Sequence, residues 1–189
     1  EYRRKLNLEN EDFVILVLAE LNKNKNHIQL IKAMSKLKDK YPNIKALFAG
    51  VGPFEEEIKS QIKNYGLENN IQILGWRNDV KELINSCDVV GLFSKREGLG
   101  KCLLEGKAVI ATNTRGPREL IENNKNGYLI KLNDYETTAK IIQEIYVYSE
   151  NRNIFEKESI KKSNKYLIQN VLKELFDRDE YKEENLVGV

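Results

Sequence analysis

The sequence predicts an α/β protein, with a Rossmann-like parallel sheet, helices on both faces and a helical C-terminal tail. Three observations carry this. Short apolar runs such as Phe13–Ala19 (FVILVLA) and Val89–Phe93 (VVGLF) are bounded by polar residues and are too short to cross a membrane. Between them lie segments with apolar residues at helical spacing, such as Ile28, Ile31, Ala33, Met34 and Leu37. The two kinds of segment alternate, and strands apolar on both faces belong to parallel sheets.

Taken in order, residues 1–12 are polar and charged and read as a lead-in or interdomain linker. The domain then runs over 13–148 and the tail over 149–189. Phe13–Ala19 is the first strand. Asn26 stands where an N-cap belongs, before a helix from His27 to about Lys40. Ile44–Ala49 is the second strand, ending in Gly50-Val51-Gly52-Pro53. Proline suits the first turn of a helix, where its missing N–H costs nothing, and that helix runs to about Tyr65 before Gly66. Ile71–Leu74 is a third strand, followed by Gly75-Trp76-Arg77-Asn78-Asp79 and a helix to Ser86. Val89–Phe93 is the fourth strand and Leu99–Glu105 reads as a helix. Ala108–Thr112 is the fifth strand, and Arg115-Gly116-Pro117 opens a short helix to Glu122. Gly127–Ile130 is a sixth strand, Tyr135–Tyr148 a helix, and 151–181 one or two amphipathic helices.

The 189 residues suffice for one sizeable core with a tail. A net charge of +2, from 31 basic and 29 acidic side chains, is a balanced surface and not a footprint for nucleic acid. Cys87 and Cys102 have no metal-like spacing and read as free thiols. No run of 18 apolar residues or signal peptide is present in this stretch.

The stretch Phe93–Glu105 (FSKREGLGKCLLE) organises the chain. A strand leads into a turn with Ser94, Gly98 and Gly100, and a helix follows. Such a turn offers free backbone N–H groups and the positive end of a helix dipole to an anion. Glu97 in the loop and Glu105 on the helix flank it, eight positions apart. A phosphate cradle between carboxylates suits a sugar joined to a nucleoside diphosphate, because carboxylates accept hydrogen bonds from sugar hydroxyls.

These residues, with GKAVIATNTRGPRELI at 106–121 and NGYLI at 126–130, resemble the retaining glycosyltransferases of the GT-B fold. Within that fold they are similar to the group 1 (family 4-like) bacterial enzymes that build capsule, exopolysaccharide and O-antigen chains. The resemblance covers roughly residues 13–146. It implies one half of a GT-B fold, the donor-binding half, since the length is about half that of a two-domain enzyme. It also implies a nucleoside-diphosphate sugar as donor, a UDP-sugar first, with no cofactor and no obligatory metal. The acceptor, a glycan or a lipid-linked glycan, would be met through an N-terminal domain outside this stretch. The expected location is cytoplasmic, at the inner face of the membrane through that other half, and the isolated chain is expected to bind nucleotide without transferring sugar.

The resemblance also assigns roles. Glu97 is implied to hydrogen-bond the donor sugar and to support positive charge at its anomeric carbon. Lys25, after the first strand, is implied to neutralise the leaving diphosphate. Glu105 would hold both ribose hydroxyls, and the N–H groups of Gly98, Leu99 and Gly100 the distal phosphate. Gly52, Arg77 and Arg96 complete the implied donor-binding set. Each has a plain reading beside it. Acidic residues at helix ends and lysines in loops are common surface features, Gly52 can simply tighten a corner, and Trp76 can be ordinary packing. His27, the one histidine, reads as structural.

Two departures stand out. Many relatives carry arginine where this chain has Glu20, although a capsule-type branch reads GELNKNKN, as this chain does with Ala19 for glycine. A carboxylate cannot grip a diphosphate, so either Arg96 or another cation supplies that charge or Glu20 serves a different purpose. After Glu105, relatives continue as Glu-Ala-Met-Ala-x-Gly-Lys, whereas here Gly106 and Lys107 follow at once. Roughly four residues, about one helical turn, are missing from the helix that aims Glu105. These departures favour the alternative reading, a non-catalytic nucleotide-binding or scaffolding domain. A sugar-nucleotide epimerase fits the central turn less well. An NAD-dependent oxidoreductase fits least, because no G-x-G-x-x-G follows the first strand.

Overall fold

In a computed structural model of the protein, which describes residues 1–98, 107–150, 152–162 and 164, six strands form one parallel sheet. The strands are β1 (Phe13–Leu18), β2 (Ile44–Ala49), β3 (Ile71–Gly75), β4 (Val89–Leu92), β5 (Ala108–Thr112) and β6 (Gly127–Ile130). Their order across the sheet is β3-β2-β1-β4-β5-β6. The helices are α1 (Tyr2–Lys5), α2 (His27–Ser35), α3 (Glu55–Asn64), α4 (Val80–Ser86), α5 (Arg115–Leu120) and α6 (Tyr135–Val147).

β1 is central, and its alternating side chains feed two cores. Phe13, Ile15 and Val17 join α2, α3 and α6 on one face, whereas Val14 and Leu16 join Leu6, Leu8 and α4 on the other. Burial on both faces explains the unbroken apolar run. The chain winds outward from β1 in one direction through β2 and β3, then returns to build β4 to β6 on the other side. β1 and β4 are therefore neighbours whose onward connections run to opposite sides of the sheet, which makes the crevice at their carboxyl ends the topological switch point.

Three elements differ from the sequence expectation. Residues 1–12 are not a detached lead-in, because α1 docks on the sheet through Leu6 and Leu8, both buried. The surrounding charges in that stretch mask two leucines that cover the outer face of β1 and β4. α2 ends at Ser35, and turns continue to Lys40. Asn26 stands before α2 but makes no capping bond, having a left-handed backbone (φ 50). Its side chain instead joins Gln29 and Asn133. The fully buried Gln29 is thereby satisfied on both sides, donating to the Lys131 carbonyl and Thr138 Oγ1 and accepting from Asn26 and Asn133.

α3 begins two residues after Pro53 with Glu55, Glu56 and Glu57 in its first turn, where the helix dipole favours negative charge. It stops at Gly66, whose φ of +59 is the left-handed conformation that ends helices. In the tail, residues 152–162 are helical and pack on this same domain. Phe155 meets Tyr128 edge-on, and Arg152 binds Asp88 at 2.9 Å. The expected second part of the tail lies outside the described residues.

Candidate functional site

The loops after β1 and β4 meet across the switch point and are tied together by side chains. Asn22 Oδ1 accepts from the backbone N–H groups of Asn24 and Lys25, both at 3.0 Å. That turn, a local conformation asparagine favours, fixes the direction in which the chain leaves β1. Asn24 then grips the opposite loop. Its Nδ2 donates to the Arg96 carbonyl at 2.9 Å and its Oδ1 accepts from the Arg96 N–H at 3.0 Å. The Lys95 N–H also donates to the Asn24 carbonyl at 2.7 Å.

This stitching brings the two predicted catalytic residues into contact. Lys25 Nζ lies 2.7 Å from Glu97 Oε2, and Ser94 Oγ donates to the same oxygen at 2.8 Å. The side chains are 22% and 14% exposed, enough shielding for the pair to be held in place. Burial by itself pushes the Glu97 carboxyl up, but the hydrogen bonds from Lys25 and Ser94 outweigh it and hold the group below the usual carboxylate range. Ser94 is itself fixed from behind, its carbonyl accepting from Thr112 Oγ1 at 2.6 Å.

The turn is seated against α5. A β-carbon on Gly116 would overlap the Gly98 carbonyl oxygen, so only glycine lets the start of α5 lie this close. A β-carbon on Gly98 itself would meet no atom within 4 Å among the described residues. Gly98 is exposed next to the Lys25–Glu97 pair, and its backbone N–H also supports the Glu97 carboxylate. Leu99, Gly100, Glu105 and the shortened helix lie outside the described residues.

A cleft of about 430 Å³ opens at the carboxyl ends of β1, β2 and β3, lined by residues that include Leu18, Ala49, Val51, Trp76, Arg77 and Glu20. A second cleft, about 450 Å³ beside Arg3, Cys87 and Asp88, lies at the opposite ends of the strands, away from the converging loops. Trp76 is not core packing, since it is 74% exposed with its indole N–H donating to Asn78 Oδ1 at 3.0 Å. Arg77 lines the first cleft, but its guanidinium is engaged by Asp79 and by the Tyr2 hydroxyl. Gly52 has a packing duty, because a β-carbon there would overlap the Leu21 carbonyl. Arg96 is exposed on the loop facing Lys25, with its backbone held by Asn24. Glu20, exposed on the cleft wall, does not take part in the Lys25 pair.

His27 is buried at 1% exposure, neither ring nitrogen has a hydrogen-bond partner among the described residues, and its ring meets Phe48 edge-on at 4.9 Å. Burial, reinforced by nearby Lys25, pushes it down to about 4, so it is neutral near pH 7. Sequence reasoning missed Asn22, Asn24 and Tyr2. The repeated asparagines of NKNKN were the available signal for the first two; nothing local marks Tyr2.

An all-parallel sheet in this order, with its two innermost loops clasped over a switch point, defines a Rossmann-like domain of the kind that makes up half of a GT-B protein. The chain belongs to the glycosyl transferases group 1 family, whose family model matches residues 1–162.

The chain is 40% identical over 148 residues to EpsD of Bacillus subtilis, covering 76% of this chain and 39% of that protein. It is 30% identical over 129 residues to the N-acetylgalactosamine-N,N'-diacetylbacillosaminyl-diphospho-undecaprenol 4-alpha-N-acetylgalactosaminyltransferase of Campylobacter jejuni, covering 66% of this chain and 34% of that protein. Among solved structures, HepE of Anabaena in complex with UDP superposes with a TM-score of 0.83 at 25% identity, covering 93% of this chain and 51% of HepE. HepE has also been crystallised with UDP-glucose. The chain thus spans well under half the length of the two sequence relatives and about half of HepE.

Among the described residues, no helix is long and apolar enough to cross a membrane, and no group of three or more His, Cys, Asp or Glu is placed to hold a metal ion.

Proposed function

We propose that this domain binds the nucleoside-diphosphate sugar, a UDP-sugar, for a retaining glycosyltransferase that extends a surface polysaccharide or a lipid-linked glycan. The observation that carries the reading is the Lys25–Glu97 pair at the switch point, next to the exposed Gly98. A cation and exposed backbone there suit a diphosphate, and a carboxylate within reach suits the hydroxyls of the attached sugar.

In this reading Lys25 turns to the diphosphate and offsets the charge that grows on it as the bond to the anomeric carbon breaks. The Glu97 carboxylate, held ionised, faces the positive charge developing on the sugar. The acceptor hydroxyl attacks on the side from which the diphosphate leaves, so the anomeric configuration is retained. No metal ion is required in this scheme, because Lys25, with Arg96 on the facing loop, supplies the positive charge. The names of the relatives support the class: one acts on a diphospho-undecaprenol acceptor, and HepE binds UDP and UDP-glucose. The acceptor would reach this face from a further domain, as would any contact with the inner face of a membrane.

Equilibrium dialysis of the chain against UDP, GDP and ADP tests the reading. UDP should bind tightest, and incubation with UDP-sugars and polyprenyl-diphosphate glycans should give no transfer. Equal or absent binding of all three nucleotides would contradict the donor assignment. Robust transfer by this chain alone would contradict the need for a second domain.

A further inference from the structure

The cleft at the carboxyl ends of β1, β2 and β3 has one wall whose position is set from far away in the sequence. That wall is the segment 75–79, from the end of β3 to the start of α4. Gly75 turns the chain with a left-handed φ of +66, and its carbonyl accepts from the Gly50 N–H at 2.8 Å. This ties the first end of the segment to the neighbouring strand.

The other end is tied by Tyr2. Its hydroxyl donates to Asp79 Oδ2 at 2.6 Å and accepts from Arg77 at 3.2 Å, while Arg77 grips Asp79 with two nitrogens. Tyr2 is itself well anchored. Leu6 and Leu8, buried on the sheet, hold the turn after α1, and Arg3 reaches Asp88 and the Asp12 carbonyl. A half-buried Arg–Asp pair two residues apart, still open to solvent on one side, contributes little to stability alone. Joined to a phenol 77 residues away, it becomes a long-range constraint on the segment. Burial and the contact with Asp79 push the Tyr2 phenol up, so it remains a donor near neutral pH.

Between the two anchors stands Trp76, exposed, with its ring among the groups lining the apolar cleft and its N–H held by Asn78. We propose that Tyr2 is a positioning residue for the donor's base: through the Tyr2–Asp79–Arg77 clasp it holds Trp76 as a flat face against which a nucleobase stacks. This rests on the donor-binding reading above. It adds that Arg77 acts by holding the wall of the cleft and not by gripping phosphate, and that base and diphosphate are recognised by separately anchored loops.

Trp76 is the single tryptophan, so its fluorescence reports on the wall directly. UDP should quench or shift Trp76 emission in the wild-type chain, whereas inorganic pyrophosphate, which has no base, should not. Tyr2→Phe keeps the ring packed and removes only the hydroxyl. It should lower the anisotropy of Trp76 in the free protein and weaken UDP roughly three- to tenfold, leaving pyrophosphate binding unchanged in a chain that is still folded. In a Trp76→Ala background, with binding followed by calorimetry, Tyr2→Phe should have no further effect on UDP. Unchanged Trp76 anisotropy and UDP affinity in Tyr2→Phe would overturn the proposal, as would additive losses in the double variant or an equal loss for pyrophosphate. A wild-type chain that binds no UDP would instead defeat the donor-binding reading itself.

Discussion

Lys25 and Glu97 are 72 residues apart in the chain and 2.7 Å apart in space. No local rule brings them together. Lys25 follows β1 and Glu97 follows β4, and these strands meet only because the sheet reverses its winding direction between them. The ion pair also neutralises the site in the free protein. An arriving diphosphate must compete with Glu97 for Lys25 or be shared with it, so the pair fixes the cation in place and moderates its pull.

Asn24 should be the residue on which this geometry depends most. Asn24→Ala removes two hydrogen bonds to the Arg96 backbone, at a cost of about 1–2 kcal/mol in stability. Hydrogen exchange should show the Arg96 amide losing protection well before the strands do. Asn24→Asp should be as damaging, since it keeps the acceptor for the N–H but turns a carboxylate oxygen toward the Arg96 carbonyl.

His27 should make the fold acid-sensitive. Its folded value is pushed down to about 4 from an ordinary 6.5, so the neutral ring is favoured by folding. That contribution is present in full above pH 6.5 and is lost as pH falls toward 4. It amounts to about 3 kcal/mol at most, at about 1.4 kcal/mol for each pH unit between the two values. His27→Phe, which also removes two buried nitrogens without a partner among the described residues, should flatten the stability profile over that range in denaturant titrations. An identical profile in the variant would mean that other groups govern the acid response.

Gly98 and Gly116 should separate binding from folding. Gly116→Ala forces a methyl group onto the Gly98 carbonyl and should lower the melting temperature while displacing the turn. Gly98→Ala meets no described neighbour, so it should leave melting nearly unchanged and weaken UDP, because the added methyl fills the space assigned to phosphate. Thermal unfolding and calorimetry on both variants check the contrast.

Much of this was legible in the sequence, for physical reasons. β1 and β4 announce themselves because burial on both faces requires an unbroken apolar run, and β2 nearly so, with Lys45 its one polar residue. The separate roles of Lys25 and Glu97 were legible only through resemblance, and their contact was not foreseen, since nothing at either position specifies the other. α1 was hidden because Leu6 and Leu8 are two apolar residues among charges, too few for a pattern. Asn26 looks like a cap because asparagine often caps helices, but the same side chain serves a tertiary network just as well. Arg77 looks free because its partners are an aspartate two residues on and a tyrosine that only folding brings near.

The most direct test is calorimetric titration of UDP into the wild-type chain, Lys25→Ala and Glu97→Gln, with melting curves taken alongside. UDP should bind the wild type. Lys25→Ala should lose at least tenfold in affinity while remaining folded, because a charge-assisted contact to the diphosphate is gone. Glu97→Gln should retain UDP binding, because its role lies with the sugar and Lys25 is then released to the phosphates. UDP binding undiminished in folded Lys25→Ala would contradict the assignment of the switch point as the donor diphosphate site.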